Sequence, residues 1–214
     1  METLKTFLDS PGFLIGWASL MVPSVAVLLW DLRRQPIMSL MKAVWTLTVI
    51  YSGPLGLLIY WLTGRKQISD DHLWRRGFRS VAHCYSGCGA GEIVGVLIAV
   101  GIFAAGNGWT AAVTFTFAYL FGLGLTVGPL MQDGVAFAQA VKDALISETP
   151  SIAVMEIVAI GVDLWLAGSA GMGDVRFWTS MIASLTCGLL AAYPVNLVLL
   201  RFGVKDGMMD PREA

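Results

Sequence analysis

The stretch HCYSGCGAGE, residues 83–92, brings an imidazole, two thiols and a carboxylate together just before the apolar run IVGVLIAVGIF. If this stretch is helical, Cys84, Cys88 and Glu92 follow one another at intervals of four residues and share one face, with His83 beside them. Ionisable groups at the edge of an apolar helix are costly in a membrane and usually serve a function. The stretch therefore predicts both a membrane helix and a candidate site on it.

The composition of the chain is that of an integral membrane protein. Of its 214 residues, 56% are hydrophobic and 14% are charged, which is too little polar surface to cover a soluble globule. The net charge of −1 and the scattered basic residues exclude nucleic-acid binding. Three cysteines are too few for a disulfide framework, so thiol or metal chemistry is the better interpretation of Cys84 and Cys88. The polar start METLK predicts that no cleavable signal peptide is present.

Hydropathy predicts an all-α, polytopic membrane helix bundle with six transmembrane helices. Each apolar window is close to the ~20 residues that a helix needs to cross the bilayer. The windows cover residues 12–30, 43–63, 82–105, 109–130, 151–169 and 177–200. Residues 131–148 have helical apolar spacing without the length to span, and they predict one interfacial amphipathic helix. We expect a single transmembrane domain over residues 1–210 and a disordered tail over residues 211–214.

Prolines and glycines predict the shape and packing of these helices. Neighbouring helices can satisfy the carbonyls that a proline leaves free, so we expect kinks rather than breaks at Pro23, Pro54 and Pro194. A glycine at every fourth position lets two helix backbones approach closely, and the third window carries such a row at Gly87, Gly91 and Gly95. This row predicts close contact with another helix.

Basic residues predict the orientation. With six spans, ten Lys and Arg residues fall on the side that holds both termini, and four fall on the other side. The positive-inside rule then places both termini in the cytoplasm. The first loop is an exception, because Arg33, Arg34 and Lys42 would lie outside. We expect a multi-pass protein of the bacterial inner membrane.

The direction of each span predicts which polar side chains meet inside the bilayer. His83, Cys84, Cys88 and Glu92 lie within roughly the first 15 Å of the third window, and Glu156 lies about 8 to 10 Å into the fifth. The depths of these side chains overlap. Side chains that could support the same layer are Met131, Met155 and Asn196, whereas Asp163 is expected nearer the opposite face.

Thiolate and imidazole ligands favour copper or zinc over magnesium or calcium. The sequence therefore predicts a transition-metal ion, copper first and zinc second, with the ligands His83, Cys84, Cys88, Glu92 and Glu156. Two alternatives stay open. Each cysteine or histidine taken singly is more often an ordinary interior residue, and Glu156 could be a protonated carboxyl bonded to a neighbouring helix.

Three motifs carry a resemblance to a known family. They are the His-Cys-x-x-Gly-Cys-x-x-Gly-Glu run at residues 83–92, the Trp-x-x-Thr-x-x-Tyr-x-Gly-Pro-Leu run at residues 45–55, and Ala-Tyr-Pro-Val-Asn at residues 192–196 followed by Arg201-x-Gly203-x-Lys205. With these motifs the chain resembles the bacterial membrane family called domain of unknown function 4396, from about residue 40 to residue 209. The resemblance implies a shared membrane fold and an important His-Cys motif, and the family name states no chemistry.

The sequence supports three functional hypotheses. The first is a membrane protein that transports or handles a soft metal ion; carboxylates that take up protons would allow proton-coupled release of the ion. The alternatives are a membrane oxidoreductase or haem-binding protein with His83 as a ligand, and a structural or assembly subunit of a membrane complex. No catalytic residue is predicted. The expected partners are the lipid bilayer and the metal ion, and a second copy of the chain or a membrane-complex subunit is left open.

Overall fold

The protein is built from helices. A computed structural model describes residues 6–208 and 210–213, and no strand occurs in this part of the chain. In chain order the helices are α1 (Pro11–Leu32), α2 (Ser39–Ser52), α3 (Pro54–Thr63), α4 (Leu73–Val96) with a π-helical extension (Leu97–Ile102), α5 (Asn107–Gln132), α6 (Phe137–Ala167) and α7 (Val175–Arg201).

Five of the described helices are long and apolar enough to cross a membrane, namely α1, α4 with its extension, α5, α6 and α7. Their lengths of 22 to 31 residues exceed the ~20 residues needed to span the hydrocarbon. The prediction of an all-α, multi-pass membrane protein is confirmed. The predicted second span is not among the five, because it is divided between α2 and α3.

The division falls at Gly53, where the sequence predicted only a kink. Gly53 has φ +54°, and Pro54 disfavours a helical conformation at the residue before it while fitting the first turn of the next helix. A Cβ on Gly53 would also lie only 3.1 Å from the side chain of Trp17. Pro23 and Pro194, by contrast, lie inside continuous helices, so the absence of a break there is confirmed.

After the break the chain turns back, so α2 and α3 form a helical hairpin. The ring of Trp45 lies 5.4 Å from that of Tyr60, which a continuous helix would place more than 20 Å away. At the open end of the hairpin, Arg65 forms two 2.9 Å hydrogen bonds with the Asp31 carboxylate at the end of α1. Tyr60 donates a third hydrogen bond to Asp31 at 2.6 Å. The hairpin therefore begins and ends at the same end of the bundle.

The first and last described segments lie at opposite ends of the bundle. The Thr179 hydroxyl, near the start of α7, donates to the Leu8 carbonyl at 2.9 Å, and Arg176 pairs with Asp9. The segment after α7 lies at the other end of this helix, where the Lys205 backbone N–H bonds to Leu199. These two segments therefore lie at opposite ends of α7.

The predicted interfacial helix over residues 131–148 is not a separate element. Helix α5 continues to Gln132, and α6 runs without interruption from Phe137 through Pro150 to Ala167. Side chains on both sides of Pro150 have tertiary partners, since Glu148 pairs with Lys205 and Ser151 accepts a hydrogen bond from Asn196. These tertiary contacts stabilise one continuous helix where hydropathy predicts two separate segments.

Helix α4 is the centre of the bundle and contacts α2, α3, α5, α6 and α7. The predicted glycine row packs against α5. A Cβ on Gly95 would lie 2.7 Å from Thr114 Cα, and one on Gly87 would lie 3.0 Å from Gly122 Cα. The prediction of a close helix contact is confirmed.

The predicted tail over residues 211–214 includes Ala214, which lies outside the described residues. In the described part of the tail, the Glu213 N–H bonds to the Asp210 carbonyl and Arg212 pairs with the Asp210 carboxylate. Residues 210–213 therefore form a turn.

Candidate functional site

The two thiols of the His-Cys motif lie together in the middle of the bundle. Cys84 Sγ and Cys88 Sγ are 4.0 Å apart, both side chains are buried, and neither forms a disulfide. Gly122 of α5 leaves the space beside Cys88, because a Cβ at this glycine would lie 3.0 Å from the sulfur. From α6, the Ser151 hydroxyl donates to Cys84 Sγ at 3.7 Å. The spacing of four residues does place both thiols on one face, as predicted.

Glu156 faces this thiol pair from α6. Its charge acts on Cys84 and Cys88, and its side chain is fully buried. The Cys88 thiol contacts the carboxyl as a weak hydrogen-bond partner, and no N–H or O–H group of the described residues bonds to either oxygen. Because an unpaired carboxylate is costly inside a membrane, this group must carry a proton or a cation.

His83 points away from the thiols into a cavity, which we call the His83 cavity. Consecutive residues on a helix project about 100° apart, so His83 and Cys84 face different neighbours. The cavity has a volume of about 530 Å³ and lies where α5 ends and α6 begins. The ring nitrogen Nδ1 of His83 has no hydrogen-bond partner in the described structure. Polar residues that line the cavity with His83 are Thr126, Asp133, Asp143, Ser147, Glu148, Lys205 and Asp206.

A buried ion pair separates the His83 cavity from the thiols. Lys205 Nζ lies 2.6 Å from Glu148 Oε2, and it donates a second hydrogen bond to Asn196 Oδ1 at 3.1 Å. The amide of Asn196 donates to the Ser151 hydroxyl at 2.5 Å, and Ser151 in turn contacts Cys84. A chain of hydrogen bonds thus runs from the cavity wall to the first thiol.

Glu92 lies one turn beyond Cys88 along α4 and lines a second cavity, which we call the Glu92 cavity. It has a volume of about 210 Å³ and lies where α5 begins and α6 ends, at the opposite end of the bundle from the His83 cavity. Glu92 is nine residues after His83, about 13 Å along the axis of α4. Asp163 lines the same cavity, and one of its oxygens accepts a hydrogen bond from Ser180 at 2.8 Å.

The predicted ligands are therefore distributed over three places. Within residues 6–208 and 210–213, no three His, Cys, Asp or Glu side chains are grouped closely enough to hold one metal ion. Cys84 and Cys88 stay together with Glu156 facing them, while His83 and Glu92 line separate cavities. Metal binding stays a prediction. Of the predicted ligands, the two thiols are the pair that the structure places close together.

The three supporting residues also separate. Asn196 joins the site through Ser151. Met155 is buried and packs against Gly188 of α7, where a Cβ would lie 3.0 Å away. Met131 is 46% exposed on the outside of the bundle. Of the three, Asn196 alone is linked to the thiols by hydrogen bonds.

The thiol pair has the spacing of two ligands of one soft ion. With metal–sulfur bonds of about 2.3 Å, sulfur atoms 4.0 Å apart subtend an angle of about 120° at a shared ion. This is a trigonal angle, which leaves one position open to a further ligand. Two thiolates are a soft donor set that favours copper(I) or zinc.

Sequence reasoning missed the charged pair beside the site. Glu148 is the last residue of the predicted interfacial helix, and Lys205 enters the sequence analysis as the last residue of a family motif. The two residues are 57 positions apart, and both side chains are 3% exposed. A lysine just beyond a membrane helix is commonly a positive-inside anchor, so its burial had no local signal.

The polar loop before α4 is tied to the first turns of that helix by ion pairs. The Ser69 hydroxyl, which donates to Asp70, lowers the pKa of this carboxyl. Arg75 pairs with Asp70 at 3.0 Å, and Arg79 pairs with Asp71. The loop therefore holds the first turns of α4 by charge pairs.

Fold and site together define a multi-pass helical membrane protein with buried thiols and carboxylates in its centre. The family described as "Domain of unknown function (DUF4396)" matches residues 73–205, which is more than half of the chain. The protein belongs to this family, and the resemblance is confirmed for the two motifs within the matched residues, while the motif at residues 45–55 precedes them. No curated protein and no solved structure matches the chain.

Proposed function

We propose that this protein carries a soft transition-metal ion, copper first and zinc second, across the bacterial inner membrane and binds it between Cys84 and Cys88. The observation that carries the proposal is the buried pair of free thiols, 4.0 Å apart, which lies on α4 between the residues that line the two cavities. The alternative of ordinary packing predicts no metal binding and is tested by the same measurement.

The arrangement of polar groups supports a route rather than a closed structural site. From the His83 cavity the groups follow in order: the Glu148–Lys205 pair, Asn196 with Ser151, the two thiols with Glu156, and finally Glu92 at the second cavity. Ionisable side chains inside a membrane bundle commonly mark the path of an ion or proton. Glu156 would neutralise the charge of a bound cation or exchange it for a proton.

The helical hairpin also supports transport. Helices α2 and α3 have 14 and 10 residues, too few for either to span the hydrocarbon. Near its tip, Tyr51 packs against Tyr85 of α4 with ring centroids 5.6 Å apart. Non-helical backbone at membrane depth is tolerated where protein surrounds it, and discontinuous helices of this kind are frequent at the sites of transporters.

The proposed topology has five crossings and one re-entrant hairpin, in place of six crossings. The chain has 14 Lys and Arg residues, and Lys5 lies outside the described part. Of the 13 described ones, 12 lie at the end of the bundle where the hairpin opens, and Arg176 lies near the start of α7 at the other end. The positive-inside rule then puts this end in the cytoplasm. The C-terminus and the His83 cavity would be cytoplasmic, and the N-terminus would lie outside.

The test is a titration of the purified, reduced protein with copper(I) in competition with a chromogenic chelator. We expect the wild-type chain to take up one ion, and a Cys84→Ser, Cys88→Ser double variant to take up none. Cys187→Ser is the matched control, because this half-buried third cysteine lies on α7 away from the pair. The same titration with zinc tests the second ion.

Serine is nearly isosteric with cysteine, so thermal unfolding of the double variant will report whether its fold is kept. Equal copper and zinc uptake by the wild type and a folded double variant would remove the proposal.

A further inference from the structure

The Glu92 cavity carries a site that the thiol pair does not explain. Glu92 is 4% exposed and lines the cavity, and its Oε2 has no hydrogen-bond partner in the described part of the chain. A carboxylate in this position needs a proton or a cation, because neither lipid nor apolar side chains can solvate it.

The groups that act on Glu92 are other acids and two phenols. The carboxyl groups of Glu156 and Asp163, both on α6, interact electrostatically with Glu92. Glu92 in turn interacts electrostatically with the phenol groups of Tyr51 on α2 and Tyr85 on α4. Arg176, at the same end of the bundle, is paired with Asp9. The acidic surroundings of Glu92 therefore favour a positively charged ligand.

We propose that Glu92 and Asp163 bind a hard metal cation in this cavity. The side chains of the lining offer oxygen donors: two carboxylates, the Asn107 amide and the hydroxyls of Thr110, Thr114 and Ser169, with no thiol, imidazole or thioether among its residues. Oxygen ligands select hard cations such as Na⁺, Mg²⁺ or Ca²⁺ over the soft ions that suit thiolates. At ~30 Å³ per water, a volume of about 210 Å³ holds an ion with several of its waters.

This site shares no ligand with the thiol pair, although Glu92 also ends the proposed soft-metal route. Its ligands lie on α4 and α6 beyond the thiol pair, and none of them is a sulfur atom. The Cys84→Ser, Cys88→Ser variant should therefore keep the response to hard cations, whatever its behaviour towards copper.

The experiment is thermal unfolding of the purified protein in detergent, with NaCl, MgCl₂ or CaCl₂ added at ionic strength held constant by choline chloride. At least one ion should raise the midpoint saturably, by about 5 °C at high occupancy. Glu92→Gln and Asp163→Asn should each abolish the rise. Asp143→Asn is the matched control, because this carboxylate lines the other cavity, and it should leave the rise unchanged.

A second measurement uses the wild-type protein and does not depend on the folding of variants. Dicyclohexylcarbodiimide adds to carboxyl groups in apolar surroundings, and peptide mass spectrometry should find the adduct on Glu92. The ion that raises the midpoint should protect Glu92 at the same concentrations. The proposal is overturned if none of the three ions shifts the midpoint, or if the shift persists in both carboxylate variants or comes without protection of Glu92.

Discussion

At the scale of single residues, the buried ion pair between Lys205 and Glu148 has the largest consequences. The ammonium group comes from the segment after α7 and reaches Glu148 in the first half of α6, so one contact holds the end of the chain to the bundle. The same contact forms the wall between the His83 cavity and the thiol pair. Lys205 therefore ties stability and access to the site together.

Removing the Lys205 ammonium should leave the Glu148 carboxylate buried without a partner and so destabilise the protein. We expect Lys205→Met to lower the free energy of unfolding by about 3–5 kcal/mol, and a second change, Glu148→Gln, to recover much of this loss. Arg176→Met is the control, since the Arg176–Asp9 pair is partly exposed and is worth about 1 kcal/mol or less. Unfolding by denaturant in mixed micelles measures all four proteins. Similar losses for Lys205→Met and Arg176→Met would contradict this account.

At the scale of elements, the contact between α4 and α5 determines where the thiols lie. The glycines of α4 let the backbone of α5 approach, and Gly122 of α5 then lies against Cys88. A wider spacing between these helices would leave a gap beside Cys88 and loosen the pair. The glycine row is thus a requirement of the site as well as of the packing.

A methyl group on Gly91 should force the two helices apart. The added Cβ would meet the Phe117 carbonyl and Ala118 Cα at less than contact distance, and backbone atoms cannot move aside as a flexible side chain can. We expect Gly91→Ala to cost about 1–3 kcal/mol in stability. Gly124→Ala on α5 has open space around the new methyl and should cost nothing. Equal stability of the two variants, measured by thermal unfolding, would show that the close approach is not needed.

At the scale of the whole molecule, the proposed topology depends on the hairpin of α2 and α3. The Arg65–Asp31 pair and the Trp45–Tyr60 contact bring both ends of the hairpin to one end of the bundle. Arg33, Arg34 and Lys42, which were exceptions to the positive-inside rule with six spans, then join the other basic residues at that end. With the hairpin, the distribution of Lys and Arg residues agrees with the positive-inside rule.

Labelling of single cysteines in intact cells distinguishes the two topologies. In a background without native cysteines, Arg34→Cys should be protected from an impermeant maleimide with five crossings and labelled with six. Gly106→Cys, in the loop before α5, should be labelled in both cases, and Ser69→Cys should be protected in both. If Arg34→Cys is labelled as fast as Gly106→Cys, the topology with six crossings is correct and the one with five is wrong.

The sequence by itself determined the helical membrane class, the face shared by Cys84 and Cys88, and the glycine row. These features depend on hydropathy and on the helical repeat, which are properties of nearby residues. The sequence could not predict that the helix breaks at Gly53. Pro54 is compatible with either a kink or a break, and the break is favoured by the side chain of Trp17, which comes from another helix.

The tertiary structure alone decided which polar groups share a site. His83 and Glu92 are close to the thiols in sequence, yet they line two separate cavities, because His83 projects from another face of α4 and Glu92 lies farther along its axis. Lys205 is far from Cys84 in sequence and joins it through Asn196 and Ser151. A side chain inside a bundle acquires its partners from packing between helices, and the order of residues along one helix does not contain that information.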